Sequence, residues 1–445
     1  MEAVHYTAEQ LNERFSFSGK LKTNTIITLV LGIILLALGA MLLQDAPAPA
    51  HGHEAAGHGA HAAKNVTFMT RFTADFLLTN VFFFRLAIGA FVFIVLSTLG
   101  GAGWLTAFRR IPEAMSMFVF VSFIGFIVLF GLMDNIYEWL HSTNPLVVAK
   151  QAYLNKGFFI GRNLFFFAVW GAFVWLMRKA STSEDTVGGL DAYNKTGVYA
   201  AVFMIIFALT YSLFCVDWLK SLEPTWFSTI YGVYVFAGTM VSSITTIMLL
   251  VIILKRHGYL SYVNDSHLHD LGKFMFGFSV FWSYIWVSQL LLIWYSNVPE
   301  ESIYYVRRMG GNTIFGEGAT GYENYQLSAE YLGYKFFFFF NIIANFVTPF
   351  LVLMMRNAKR VQFILYPMCF FMLMGHWNDL YQLIMPGAIG QHSASFASIL
   401  MQIGMMLTFA GVFLFVVFSS LAKYPLVTKN NPYLEESLHH STGVI

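Results

Sequence analysis

Three acidic residues of this chain share a pattern that could serve proton chemistry. Glu138, Asp217 and Asp379 are each followed by two apolar or aromatic residues and, seven positions on, by a proline. Each lies beside a long apolar stretch, where a charge costs at least about 2.5 to 3.5 kcal/mol even on the most lenient insertion scale. The pattern predicts carboxylates that close the outer ends of the third, fifth and ninth membrane-spanning helices.

Cationic residues form a complementary pattern at the starts of even-numbered spans. Arg85 follows three phenylalanines, Arg162 lies in a Phe-rich segment, and Lys335 precedes five phenylalanines in a row. We place all three cations on the outer side as well. If each span matches the one four places later, Arg162 corresponds to Lys335 and Asp217 to Asp379, as expected for two tandem four-helix bundles of equal topology.

Two helices are predicted to carry proton-exchanging side chains on one face. Asp134, Glu138 and His141 are spaced i, i+4 and i+7, and His376 with Asp379 is spaced i, i+3. Three interpretations stay open. A quinol oxidant needs a proton acceptor beside each hydroxyl and an apolar slot for the ring. The same groups could form a proton relay without a quinone, or they could only hold the bundles together.

Metal cofactors are not expected to be held by this chain. Only His141 and His376 lie near membrane depth, and Cys215 and Cys369 stand alone in apolar runs, which disfavours haem and iron–sulfur clusters. Four histidines within 51–61 could capture a metal, but Ala and Gly spacers define no geometry, so we expect a flexible linker. The segment 257–270 is similarly expected to be a polar linker and helix cap.

The composition requires a lipid environment for the elements that position these residues. Of the 445 residues 57% are hydrophobic and only 11% are charged, and the mean hydropathy is +0.61. Several apolar runs reach the roughly 20 residues needed to cross a bilayer as a helix, and they lack the alternation of a β-barrel strand. We predict an all-α polytopic membrane protein with about ten transmembrane helices. A net charge of +2 without a basic block argues against nucleic-acid binding.

The predicted organisation has two four-helix bundles and one flanking helix at each end. The basic residues are concentrated in the segments that are inner if the N-terminus is cytoplasmic, so both termini are predicted to be cytoplasmic. The predicted units are a cytoplasmic N-terminal segment 1–23, a first transmembrane helix 24–43, a His-rich periplasmic loop 44–77, a first bundle 78–216, a periplasmic connection 217–227, a second bundle 228–380 with a periplasmic insertion 297–333, a periplasmic loop 381–394, a last helix 395–420 and a cytoplasmic tail 421–445.

Several longer segments resemble a known family. VDWLKSLEPTWFST at 216–229, NDSHLHDLGKFMF at 264–276, GHWND at 375–379, IMPG at 384–387 and NPYLEES at 431–437 are similar, in this order, to the NrfD-like membrane subunits of bacterial alternative complex III, a quinol:cytochrome c oxidoreductase. The match is specific from about residue 200 onward and looser before. Neither the His-rich loop nor the insertion 302–333 carries a family motif.

The resemblance implies a respiratory function and a set of partners. The chain would be a subunit of the bacterial inner membrane that assists menaquinol oxidation, proton translocation or both, without a covalently bound cofactor of its own. Its partners would be a sister NrfD-like subunit, a periplasmic iron–sulfur subunit, c-type cytochromes, small membrane subunits and a terminal oxidase. Haem and iron–sulfur centres would lie in those partners, and the quinol pocket is expected in the sister subunit. A purely structural scaffold and a secondary transporter are the alternatives.

Overall fold

The computed structural model describes residues 12–44, 66–188, 190–309, 332–390 and 395–442. Within these ranges the regular structure is helical, and strand pairing is limited to one isolated bridge between Arg14 and Pro425. The long helices are α1 (Gly19–Gln44), α2 (Phe68–Leu99), α3 (110–132, with a break at Met117), α4 (Lys156–Val187), α5 (Leu190–Trp218), α6 (Tyr231–Arg256), α7 (Asp265–Ser296), α8 (Pro299–Met309), α9 (332–353), α10 (Gln362–Ala388) and α11 (Phe396–Leu421).

In the described residues, nine helices are long and apolar enough to cross a membrane. The ninth predicted span corresponds to α10, which has 27 residues and therefore a length of about 40 Å, but carries His376, Asn378, Asp379 and Gln382 in its second half. The prediction of an all-α polytopic membrane protein is confirmed. The polar content of α10 is tolerated because most of its second half is buried against other helices.

The spanning helices form two neighbouring groups. Helix α2 packs against α3 and α5, and α4 packs against α5, which gives the first group. In the second group α6 packs against α7 and α10, and α9 packs against α7 and α10. Helices α2 and α6 join the two groups and are the most buried spans, with 83% and 94% of their apolar windows inside the protein. Any polar residue on their shared face is therefore held away from lipid.

The position of the C-terminal tail distinguishes the two ends of the membrane-spanning helices. Residues 422–442 lie at one end, here called the tail end, where they contact the loop after α2, the start of α7 and the end of α9. Residues 133–155, 217–230 and α8 lie at the other end, here called the opposite end. Of the segment 257–270, predicted as a polar linker and helix cap, residues 257–264 form a linker that includes the buried Leu260 and Val263, and residues 265–270 already belong to α7. Asn264 caps α7 in a capping box with His267.

Helices α1 and α11 pack together through glycines. A Cβ on Gly39 would lie 2.6 Å from the Met401 nitrogen, one on Gly411 would lie 2.8 Å from Leu29 Cβ, and one on Gly404 would overlap the Leu36 backbone. Such contacts require the two antiparallel backbones to approach without side chains between them. Because only 11% of the α1 window is buried, this seam is the main attachment of α1.

Replacing Gly404 by Leu is therefore expected to detach α1 from α11. The added side chain cannot be accommodated because the atoms it meets are backbone atoms of Leu36 and Leu35. We expect this overpacking to lower the free energy of unfolding by about 1 to 3 kcal/mol, as measured by denaturant titration in mixed micelles. Gly277→Leu is the matched control, since Gly277 faces open space on α7. Equal stability of the two variants would contradict this account of the seam.

Several predicted boundaries are corrected by the structure. Helix α2 begins at Phe68 rather than at 78, so the predicted loop 44–77 is too long, and α10 continues to Ala388 rather than ending at 380. The predicted insertion 297–333 contains the helix α8. Polar residues such as Asp75 were placed outside the membrane by hydropathy, but they are buried by neighbouring helices. The His-rich stretch 51–61 and residues 310–331 lie outside the described residues.

Candidate functional site

The predicted site residues separate into three groups in the structure. Asp134, Glu138 and His141 lie at the opposite end on the surface, Arg162 and Asp217 form a pair between α4 and α5, and Arg85, His376 and Asp379 meet between the two helix groups. The three groups differ in burial and in how completely their polar atoms are hydrogen-bonded. Those two properties decide which group can do chemistry.

The surface group does not form the predicted helical stripe. The helix ends at Leu132, and Met133–Asn135 and Glu138–Leu140 are separate 3-10 turns, so the prediction of one shared helical face was wrong. Asp134 Oδ2 lies 2.8 Å from Lys156 Nζ, and the side chains of His141 and Asp134 are 71% and 49% exposed. Water competes for such contacts, so this group is a solvated loop and not an enclosed proton site.

The Arg162–Asp217 pair is buried and fully hydrogen-bonded. Arg162 Nε and Nη2 each lie 2.7 Å from one oxygen of Asp217, and Asn163 Nδ2 and the Tyr153 hydroxyl add bonds of 2.9 and 3.0 Å. Arg162 Nη1 donates to the Tyr153 carbonyl at 2.8 Å. A bidentate pair whose remaining atoms are also satisfied is a rigid clamp between α4 and α5.

The Arg85–Asp379 pair is buried but loose. Arg85 Nη1 lies 3.9 Å from Asp379 Oδ2, and the two side chains are 1% and 0% exposed. Arg85 is near the middle of α2, about 25 Å along the helix from Phe68, so its predicted place at the outer membrane face was wrong. Asp379 also lies inside α10 and does not close its end. The pair therefore sits at membrane depth, between the two helix groups.

Arg85 reaches Asp379 across a glycine of α6. Its Nε donates to Thr239 Oγ1 at 3.0 Å, and Tyr211 shares a hydrogen bond of 2.6 Å with the same hydroxyl. A Cβ on Gly238 would overlap Arg85 Nη2 and lie 3.4 Å from Asp379 Oδ2. The glycine thus leaves the space in which the guanidinium approaches the carboxylate.

A second set of polar residues extends from Asp379 along α9. Asn341 Nδ2 donates to Asp379 Oδ1 at 3.3 Å, Asn345 Nδ2 donates to Asn341 Oδ1 at 2.6 Å, and the Tyr234 hydroxyl also donates to Asp379 Oδ1. Asn345 lies in a π-helical turn, Ile343–Val347. Such turns are frequent at functional sites because they redirect side chains within a helix. The turn places both asparagines on the side of α9 that faces α10.

Several buried atoms of this cluster have no hydrogen-bond partner among the described residues. They are Arg85 Nη1 and Nη2, Asp379 Oδ2, Asn345 Oδ1, Gln382 Oε1 and both ring nitrogens of His376. His376 is fully buried and packs edge-on against Trp282 at 5.7 Å between ring centroids. Orphaned buried polar groups are rare and usually indicate ordered water or a ligand. Donors and acceptors both remain open here, as a hydrated site requires.

A small cavity lies on the opposite-end side of Asp379. Tyr234 and Asn341, which both bond Asp379, line it together with Gln289, Gln382, Tyr304 and Arg308. The cavity volume is ≈ 20 Å³, which is enough for one or two waters but too small for a quinone ring. Arg308 closes it through a bond of 2.6 Å to Glu223, and although burial lowers the pKa of Arg308, the charge of Glu223 raises it above its usual value.

Gly238→Ala is expected to separate Arg85 from Asp379 while preserving the helices. Alanine favours the helix, but its methyl group occupies the position of the guanidinium. We expect the variant to fold normally and to lose about tenfold or more of the activity proposed below, which depends on Asp379. Turnover of the assembled complex measures this, and Gly131→Ala, on a lipid-facing position of α3, is the control. Full activity of Gly238→Ala would show that the pair is not needed.

The structure also shows which predictions from spacing failed. Asp379 takes its cation from Arg85 of α2 and not from Lys335, which lies half-buried at the start of α9. Tyr234, Thr239 and Asn341 were not singled out. A repeated asparagine at i, i+4 in an apolar helix was a usable signal for Asn341 and Asn345. The described residues contain no group of three or more His, Cys, Asp or Glu side chains that could hold a metal ion.

A scan against protein-family models finds no match for this chain. A search of curated proteins likewise finds no similar sequence.

Proposed function

We propose that this chain is an integral membrane subunit of a respiratory quinol:electron-acceptor oxidoreductase, and that the Arg85–Asp379–His376 cluster handles its protons. The observation that carries the proposal is the set of unsatisfied polar atoms on these three residues at membrane depth. A buried carboxylate can exchange a proton only if it is not locked by strong partners. Both oxygens of Asp217 are bound by Arg162, whereas Tyr234 and Asn341 hold only Oδ1 of Asp379 and leave Oδ2 for a proton.

The loose contact supports a role in proton exchange. At 3.9 Å Arg85 Nη1 and Asp379 Oδ2 are too far apart for a hydrogen bond, so no short bond fixes the distance between the two. Water in the adjacent cavity would bring protons to Asp379 through the Tyr234 hydroxyl, while Asn341 holds the carboxylate by a hydrogen bond. His376 would offer a second acceptor, since neither of its ring nitrogens bonds a described residue. The cluster is thus suited to take up and release single protons.

The link to quinol chemistry rests on the family resemblance. Menaquinone is the proposed substrate of the whole complex, and the chain would assist its oxidation without redox centres of its own. The cavity beside Asp379 is too small for a quinone ring, which favours a proton function for this site. The quinol pocket, haem groups and iron–sulfur clusters would then belong to the sister NrfD-like subunit, the c-type cytochromes and the periplasmic iron–sulfur subunit. Small membrane subunits and a terminal oxidase complete the proposed set of partners.

Surface charge supports a bacterial inner-membrane orientation with both termini cytoplasmic. Exposed acidic residues at the tail end are Asp191, Asp265, Glu435 and Glu436. Exposed basic residues there are Arg14, Lys20, Lys22, Lys179, Lys195, Arg256, Lys273, Arg356 and Lys423. Among the described residues, the opposite end exposes Asp134, Glu138 and Lys156. The positive-inside rule assigns the tail end to the cytoplasm and the opposite end to the periplasm.

A scaffold function is the second candidate, and the Arg162–Asp217 clamp favours it. That network is satisfied at every described atom and joins α4 to α5 with no open position for a proton. A scaffold predicts that substitutions at both carboxylates change assembly alone. A proton site predicts that substitutions at Asp379 change activity while those at Asp217 change stability.

Isolation of the native complex tests the proposed function as a whole. The chain would be tagged at a chromosomal copy, purified in mild detergent and assayed for menaquinol-dependent reduction of a c-type cytochrome. We expect co-purifying c-type haem and iron–sulfur clusters together with this activity. A complex that lacks both haem and quinol oxidation would refute the assignment, and co-purification without any effect of Asp379→Asn would leave only the scaffold.

A further inference from the structure

A buried carboxylate that belongs to none of the three groups above lies on α2, near the opposite end. Asp75 is 0% exposed and lies about 10 Å along the helix from Phe68. Arg85, the α2 residue that meets Asp379, lies about 15 Å further along the same helix. Asp75 is therefore separated from the Asp379 cluster by several helical turns.

The carboxyl group of Asp75 is only partly hydrogen-bonded. Its Oδ1 accepts a bond of 2.8 Å from Gln402 Nε2 of α11, and its Oδ2 has no hydrogen-bond partner among the described residues. An ionised carboxylate offers about four acceptor positions, and a buried one is stable only when several donors fill them. One neutral amide does not meet this requirement, whereas a protonated carboxyl group needs fewer donors.

The groups that face Asp75 supply little positive charge. Arg71, one helical turn earlier on α2, attracts it by charge but forms neither a hydrogen bond nor an ion pair with it. Helix α11 contributes the neutral Gln402, and α10 contributes Tyr381, whose hydroxyl lies near both Gln402 and Asp75. The charge of Arg71 is thus the one cationic influence on Asp75 from the described residues around it.

The other buried carboxylates of the described residues are better compensated. Those that form an ion pair with an arginine, a lysine or a histidine are Glu113, Asp217, Glu223, Asp270 and Asp379. Glu184 forms no ion pair, but it lies near the charges of both Arg109 and Arg110. Asp75 has neither an ion pair nor two nearby arginines, so its ionised form is the least supported by its surroundings.

Aromatic side chains make this interface a poor environment for a charge. Phe76, next to Asp75 in the chain, packs edge-on against Phe409 of α11 at 5.6 Å between ring centroids. Trp377 packs against Tyr381 on α10 at 5.7 Å. A carboxylate in such surroundings, without a strong partner, usually binds a proton and becomes neutral, because the cost of burying its charge is too high.

We propose that Asp75 is a second proton-binding residue of this chain, which carries its proton in the interface between α2, α10 and α11 in weakly acidic and neutral solution. Gln402 holds the carboxyl group through Oδ1, and Oδ2 carries the proton. The site is separate from Asp379. The inference does not rest on the proposed quinol function, because the proton on Asp75 is a property of the resting protein and requires no turnover.

Infrared spectroscopy tests this proposal, because a protonated carboxyl group has a carbonyl band that an ionised carboxylate lacks. The full-length protein is purified in mild detergent and measured at about pH 6, where an ordinary aspartate is ionised. Asp75→Asn keeps the shape of the side chain and its bond from Gln402, and Gln402→Leu removes that donor while keeping Asp75. Asp134→Asn is the matched control, since Asp134 is an exposed aspartate at the same end.

We expect the difference between the wild type and Asp75→Asn to show the loss of one carboxylic-acid band, and the difference for Asp134→Asn to show none. In Gln402→Leu the band should remain and move to higher wavenumber, because its carbonyl loses a hydrogen-bond donor. An unchanged acid region in Asp75→Asn would overturn the proposal. If Asp75→Asn does not fold, an unshifted acid region in Gln402→Leu would overturn it equally. Wild-type turnover in Asp379→Asn would leave this band unaffected.

Discussion

In the proposed quinol-oxidising complex, Asp379→Asn is expected to lower turnover about 100-fold without changing the amount of complex that assembles. Asparagine keeps the shape of the side chain and can still accept the bond from Tyr234, but it cannot bind and release a proton. Loss of a positioned acid or base typically costs two to four orders of magnitude in rate, which motivates this estimate. Steady-state oxidation of a soluble menaquinol analogue by the purified complex measures the effect.

Asp134→Asn and Glu138→Gln are the controls for this prediction. Both side chains are exposed at the opposite end, where water can replace their contacts, so we expect turnover within about twofold of wild type. A comparable loss in these variants would move the proton site to the surface group. Wild-type turnover in Asp379→Asn would instead show that the buried Arg85–Asp379 pair has only a structural role.

Asp217→Ala is expected to destabilise the protein by about 3 to 5 kcal/mol, because it leaves the buried Arg162 guanidinium without a counter-charge. Two short bonds from Arg162, one from Asn163 and one from Tyr153 are lost together. The change in unfolding free energy can be measured by denaturant titration in mixed micelles, with intrinsic tryptophan fluorescence as the signal. Trp218, which bonds Asn163 at 2.8 Å, is one of the ten tryptophans that contribute to this signal.

The double variant Arg162→Met with Asp217→Leu separates a lost clamp from an unpaired charge. Replacing both partners by apolar residues removes the uncompensated charge, so we expect stability to recover to within about 2 kcal/mol of wild type. Turnover in the double variant should remain near the wild-type rate. If the double variant is no more stable than Asp217→Ala, the penalty does not come from the unpaired arginine.

The sequence was sufficient to locate the membrane helices but not their ends. Each predicted span coincides with a helix, because about 20 apolar residues in a row have few other solutions. The early start of α2 at Phe68 and the late end of α10 at Ala388 were missed. Both extensions carry polar residues that are shielded from lipid by neighbouring helices. Hydropathy is computed from one segment at a time and therefore does not detect this shielding. Asp75, which accepts a bond of 2.8 Å from Gln402 of α11, is one such residue.

Pairing between distant residues was the least predictable part of the site. The Arg162–Asp217 pair joins consecutive spans, so the pattern of cations and carboxylates suggested it. Asp379 was expected to meet Lys335, but helix packing brings Arg85 from a span nearly 300 positions away. The internal repeat did not predict the Arg85–Asp379 pair because the contact is made between the two helix groups, where α2 packs against α6. Gly238 of α6 leaves the space in which Arg85 reaches Asp379. No spacing in the sequence encodes that geometry.

The stripe of Asp134, Glu138 and His141 shows how a helical pattern can mislead. Spacing of i, i+4 and i+7 places side chains on one face only while the helix continues. Here the helix ends at Leu132, where Asn135 Nδ2 donates to the Leu132 carbonyl at 3.1 Å. Lys156 then pairs with Asp134 from the next span. The helix therefore ends before Asp134, and the i, i+4, i+7 spacing no longer places the three side chains on one face.

The number of protons moved per quinol oxidised is the most direct test of the central claim. The complex is reconstituted into vesicles with a pH-sensitive dye, and the ratio is compared between the wild type, Asp379→Asn and the Arg162→Met, Asp217→Leu double variant. Our account predicts a lower ratio for Asp379→Asn in the turnovers that remain and a wild-type ratio for the double variant. A wild-type ratio in Asp379→Asn would contradict the assignment of Asp379 as the proton-carrying residue.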